Sequence, residues 1–162
     1  MCRGDPVGDV VYLLHQTRIP HCYNTYIGWT YQPPWYRVTQ HNGLAPGGVA
    51  RLARWRPLAV AMYVHGFIDA RHARQFETAW QLGLRSAHLR HVARFVPSRG
   101  AIGRAEVLYA LLRSRAWRDH ELCLYVVPPE VGAGSGALSR FSRLRAALHG
   151  YPHVWYGPHC DP

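Results

Sequence analysis

Five side chains in the first half of the chain have the types and the spacing for chemistry on a phosphate. Tyr12 (in Val10-Val-Tyr) and Tyr26 (in Tyr26-Ile-Gly) fall on two neighbouring predicted strands. A strand tyrosine is ordinarily half-buried with its hydroxyl bonded, so the pair gains meaning only from its company. Arg37 and His41 are spaced i, i+4 on a predicted helix and leave it on one face. A permanently charged fork beside a titratable imidazole suits a phosphate whose charge grows during reaction; an exposed basic helix face is the plainer alternative. Glu77 adjoins Phe76 and shares a helical stripe with Ala73 and Trp80, so it turns partly inward. An inward carboxylate needs a cation. One of the arginines would serve, and so would a divalent metal that keeps several waters and needs a single carboxylate.

Because these groups are scattered, several elements have to gather them. Residues 10–15 and 24–29 read as strands of a hairpin whose long connection contains Pro20. Pro33-Pro34 opens a short helix that runs to about Asn42 and stops at Gly43. Residues 43–57, with Arg51, Arg54 and Arg56, read as a basic loop, and 58–64 as a buried strand. Asp69 caps a helix whose Ala73, Phe76, Trp80 and Leu84 face inward. Helices are predicted over 86–96 and 103–117, and a strand over 122–127. A glycine-rich linker from Val131 follows, then a basic helix over 138–149 and a tail rich in Pro, Gly, Tyr and His. The linker has no Gly-Lys-Ser/Thr ending and is not a P-loop. The fold class is α/β (α+β): a small central antiparallel or mixed sheet flanked by helices, with extra C-terminal helices.

Composition narrows the partners. At 162 residues and 48% hydrophobic the chain can bury one core. No apolar run is long enough to span a membrane, and no signal peptide is expected. The formal charge is +10, and all nineteen basic residues are arginine, which favours a polyanion such as nucleic acid. Compositional drift in a GC-rich genome explains the missing lysines equally well. Cys2, Cys22, Cys123 and Cys160 have no metal-ligand spacing, so reduced thiols and no zinc are expected, with His153, His159 and Cys160 as a loose alternative metal cluster.

Taken in order, these residues resemble the GIY-YIG endonuclease superfamily, and within it the catalytic subunits of the SLX structure-specific endonucleases. The strings that carry the resemblance are Val11-Tyr-Leu-Leu, Tyr26-Ile-Gly-Trp-Thr, Gln40-His-Asn-Gly, Val64-His-Gly-Phe and Phe76-Glu-Thr-Ala-Trp-Gln81, followed by Val107-Leu-Tyr-Ala-Leu-Leu and Trp117. It covers about 10–127. Val10 replaces the first glycine of the superfamily motif, and one residue is inserted near Pro33-Pro34.

The resemblance implies a nuclease domain over 1–130, with the linker, helix and tail over 131–162. It implies a metal-dependent enzyme that cuts one strand of branched DNA (flaps, forks, four-way junctions) in repair and recombination. Its site would comprise Tyr12 as the base, Tyr26 and His41 as proton partners, Arg37 on the phosphate and Glu77 on Mg²⁺ or Mn²⁺. Gly28 would permit close backbone approach. Arg51, Arg54, Arg56, Arg71, Arg74 and Arg85 are candidates for gripping the DNA arms. Family members dock a scaffold subunit through a RING-like domain, which these residues do not contain. Localisation is expected to be nuclear, or at viral or cytosolic sites of DNA replication. Another DNA substrate for the same nuclease type, or a catalytically silent DNA-binding or scaffold protein, are the alternatives.

Overall fold

Strict alternation builds the centre of the sheet. In β1 (Val10–Gln16) Val11 and Leu13 point to one layer while Val10, Tyr12 and Leu14 point to the other, and all five are fully buried. β1 is therefore an inner strand covered on both faces. Val10 is accommodated as an ordinary buried strand residue opposite Thr30.

The computed structural model describes residues 6, 8–18, 23–91 and 94–156. After β1 come β2 (Thr25–Thr30), α1 (Pro34–His41), β3 (Leu58–His65), α2 (Ala70–Leu82), α3 (Gly100–Leu112), β4 (Cys123–Val126), α4 (Ser135–Leu148) and β5 (Val154–Tyr156). The strand order is β2-β1-β3-β4-β5, antiparallel except for the parallel β4–β5 pair. A bulge between Leu13 and Leu14 shifts the register against β3. The fold is thus an α+β mixed sheet flanked by helices, and no helix among the described residues is long and apolar enough to cross a membrane.

One layer is thick. Phe76 and Trp80 of α2, Leu108 and Leu111 of α3, and Leu144 and Leu148 of α4 pack beneath Val11, Leu13, Ile27 and Val64. Burying a side chain such as Phe76 contributes about 1.5–3 kcal/mol. The other layer is thin: Val38 of α1 and Leu52 cover Tyr12, Leu14, Leu58 and Tyr63. The candidate site opens on this thin side.

Several expectations are corrected. The stretch predicted as a basic loop holds a 3₁₀ helix, Ala50–Trp55, anchored by buried Leu52. The helix predicted over 86–96 is absent from its described part, because Gly83 at φ +60° ends α2 in a 3₁₀ turn, Gly83–Arg85, followed by turns. Leu84 accordingly leaves the α2 stripe. α3 stops at Leu112 and not near Trp117. α4 starts inside the glycine-rich stretch and packs on α3, and the tail supplies β5. Cys123 is disulfide-bonded and not a reduced thiol. Cys2, Cys22, Cys160 and His159 lie outside the described residues.

Candidate active site

Sheet register places the two tyrosines. Tyr12 lies opposite Gly28, and Leu14 opposite Tyr26, so Tyr12 and Tyr26 are diagonal neighbours on one face. Their ring centroids are 6.3 Å apart. Tyr12 lies across the backbone of Gly28, where a β-carbon would meet both tyrosine rings.

α1 delivers His41 and Arg37 to the same spot. Asn42 locks the helix end to β3 by donating to Leu58 O (2.9 Å) and accepting from Leu58 N–H (2.8 Å). Arg56 Nε donates to His41 O at 2.8 Å. The His41 ring meets Tyr26 edge-on at 5.3 Å, and its Nε2 stands 2.9 Å from Tyr12 Oη. Gly48 fits against Gln40 O, where a β-carbon would be 2.1 Å away, and the following Val49 N–H donates to His41 Nδ1 at 3.3 Å.

That last bond fixes the proton. Burial, then the charges of Arg37 and Arg56, lower His41 to about 4, so it is neutral near pH 7. A neutral ring that accepts at Nδ1 carries its hydrogen on Nε2. His41 therefore donates to Tyr12 Oη. It has 0% exposure, so it is a wall behind the tyrosine and not the solvent-facing phosphate receptor expected from its spacing to Arg37.

Tyr12 is held well above the ordinary phenol range, first by burial and then by Tyr26; the hydrogen bond and charge of Arg37 pull it down, and Glu77 pushes it up. Tyr26 is also raised by burial and Glu77, against Arg51 and Arg37. Tyr12 and Tyr26 thus each lie within electrostatic reach of Arg37 and Glu77, and His41 within reach of Arg37. Arg37 is steadied by Gln40 Oε1 and by Gly47 O (3.2 Å), and remains half-exposed.

Glu77 reaches the cluster from α2 by way of the sheet edge. β2 is an edge strand, and α2 covers its free backbone: the Glu77 carboxylate stands beside Trp29 N–H, and Gln81 Nε2 donates to both Ile27 O and Glu77 Oε1 (each 3.0 Å). Half-burial raises Glu77, against these bonds and the charge of Arg74. In a chain of charge +10, Glu77 still has no ion-pair partner among the described residues. A single carboxylate, held by hydrogen bonds but not neutralised, fits a hard divalent cation that keeps its waters. No cluster of three or more His, Cys, Asp or Glu gathers among the described residues, so Glu77 would be the protein's ligand.

The arginines expected on DNA divide by position. Arg51 lies 5.5 Å from the Tyr26 ring centre and Arg74 stacks 4.2 Å over Trp29, so both flank the cluster. Arg54 rests on Trp55, Arg71 and Arg85 are exposed, and Arg56 is engaged with α1. Sequence reasoning did not assign roles to Asn42, Gly48, Val49 or Gln81. Only Gln81 had a local signal, its i+4 spacing from Glu77.

No family model matches the chain. It is 35% identical over 122 residues to the mouse structure-specific endonuclease subunit SLX1, covering 74% of this chain and 45% of that protein. The Cryptococcus neoformans subunit of the same name is 31% identical over 146 residues, covering 90% of this chain and 27% of the relative. The Aspergillus clavatus subunit is 46% identical over 81 residues, covering 49% and 18%. The chain spans less than half the length of these curated relatives. As its ordered motifs implied, it is a homologue of the structure-specific endonuclease subunit SLX1 over most of its own residues.

Proposed function

We propose that this chain is a GIY-YIG-type endonuclease that hydrolyses one strand of branched DNA. The observation that carries the reading is the convergence of Tyr12, Tyr26, His41, Arg37 and Glu77. Water attacks phosphorus in line, its oxygen forming the new P–O bond as the 3′ oxygen departs. The products are a 5′-phosphate and a 3′-hydroxyl. Tyr12, as the phenolate, takes the water's proton. His41 Nε2–H holds that oxygen by donating to it, and Tyr26 packs the imidazole in place. Arg37 neutralises charge that builds on the non-bridging oxygens. Glu77 would hold Mg²⁺ or Mn²⁺, which when bound would supply positive charge for the departing oxygen.

Duplex arms are gripped by charge, with Arg51 nearest the cut and Arg54 and Arg85 further out. The relatives are named as subunits, which supports a partner subunit here as well; an enzyme that cuts branched DNA in repair would work in the nucleus. The test is cleavage of matched linear, flap and four-way substrates in Mg²⁺, with Arg37→Ala and Glu77→Gln beside the wild type. The expected result is branch-selective nicking lost in both variants with DNA binding kept. Undiminished cutting by either variant removes the assignment.

A further inference from the structure

α2 presents a second face. Glu77 and Gln81 look toward the edge of β2, whereas Arg71, Arg74 and Thr78 line an open groove of about 1050 Å³ on the other side of the helix. Its far wall is formed by the turn at 86–88 and the loop at 116–120. Arg74 belongs to both faces: it lines the groove, stacks on Trp29, and lies within electrostatic reach of Glu77. Arg74 therefore stands between the groove and the candidate active site.

Its chemistry is that of a receptor for an acceptor-rich strand. Three imidazoles surround the indole of Trp117: His72 stacks on it at 4.7 Å, His120 lies 4.5 Å from His72, and exposed His88 stands 6.0 Å from the indole. Asp69 is the one carboxylate in the lining, and it is committed to His72 N–H at 2.7 Å. Ser86 and Trp117 are 1% and 3% exposed, yet Ser86 Oγ, Trp117 Nε1 and the neighbouring His72 Nδ1 have no hydrogen-bond partner among the described residues. Buried polar atoms left unpaired are uncommon. These atoms are sealed beneath the floor, so what the groove offers a strand is the exposed Arg71, Arg74 and His88 above them.

We infer that this groove holds a single DNA strand, the unpaired arm that leaves the branch beside the cut. Its phosphates would lie on Arg71 and Arg74 and its bases against the imidazoles, the combination of cations and flat rings that sequence-tolerant single-strand sites use. The α2 stretch from Arg71 to Leu82 is about 16 Å long at 1.5 Å per residue, room for a few nucleotides. The identity of the strand rests on the nuclease reading; its binding rests on the groove alone.

The test uses the full chain in EDTA with fluorescent nicked duplexes that differ only in whether they carry a single-stranded arm. The wild type is expected to bind the armed DNA more tightly. Arg71→Glu and His88→Glu, both at exposed positions, are expected to weaken armed DNA by about tenfold and to lower its salt slope by about 1, while the armless duplex stays within about twofold. Arg143→Glu on α4, outside the groove, is expected to shift both DNAs alike. Equal weakening of both DNAs by the groove variants, or no preference of the wild type for the arm, overturns the inference. Cleavage in Mg²⁺ is read separately: arm preference without cutting keeps the groove and removes the nuclease, and cutting without arm preference does the reverse.

Discussion

A β-carbon on Gly28 would stand 2.6 Å from Tyr12 Oη and 2.7 Å from the carbon that bears it. The ring lies where any other residue would put its side chain, so the glycine is a condition for the tyrosine's position. Gly28→Ala is expected to push Tyr12 off His41, slow single-turnover cleavage by about a hundredfold, and destabilise the fold by about 1–3 kcal/mol through overpacking. Cleavage kinetics and thermal melts measure both, and wild-type cutting by this variant would show that Tyr12 need not sit where it does.

Titration supplies a second expectation. Tyr12 is raised above the ordinary phenol range, whereas His41 is lowered to about 4 and is already neutral. The phenolate fraction, and with it the rate, should climb with pH over roughly pH 6 to 9 with no break in the imidazole range. Tyr12→Phe is expected to remove this dependence and lower the rate by about 10²–10⁴. A plateau reached near neutrality would move the base to another residue.

Stability should respond to acid in the opposite window. His15, desolvated and beside Arg140, and His41 are both lowered from 6.5 to about 4 in the folded chain. The unfolded chain then binds more protons between those values, so stability is fully present above pH 6.5 and drains away as pH falls toward 4. Melting temperature against pH is the measurement; a flat curve across that window would mean these imidazoles are more solvated than their burial indicates.

Gln81 should tune the carboxylate without touching DNA. It ties Glu77 Oε1 to the carbonyl of Ile27. Gln81→Ala is expected to weaken Mg²⁺ activation by about tenfold, the scale of supporting contacts around metal ligands, and raised Mg²⁺ should restore the rate. A rate that stays low at saturating metal would place Gln81 in another role.

Much of this arrangement was legible in the residues. β-branched and aromatic runs located β1 and β2 and a continuous apolar run located β3, Asp69 does cap α2 with a bond to His72 N–H, and the apolar spacing of Ala73, Phe76 and Trp80 gave the correct inward face. What failed depended on contacts distant in sequence or on one backbone angle. The left-handed Gly83 ended a helix that the pattern would have continued past Leu84. The three residues of β5 are a strand only because β4 lies alongside. In the candidate site, the spacing of Arg37 and His41 was read correctly, but the burial of the imidazole and the side of its proton come from Asn42, Arg56 and Val49, whose bonds no local pattern encodes.

Glu77 also does a second job. By standing beside the Trp29 amide and holding Gln81 on Ile27 O it helps close the open border of β2, a border that would otherwise invite strand addition from another molecule. Removing the side chain would therefore threaten solubility along with chemistry, whereas glutamine preserves the acceptor. A descendant that had abandoned catalysis would still have reason to retain an oxygen here, so the acid alone in a distant cousin testifies to folding as much as to cutting.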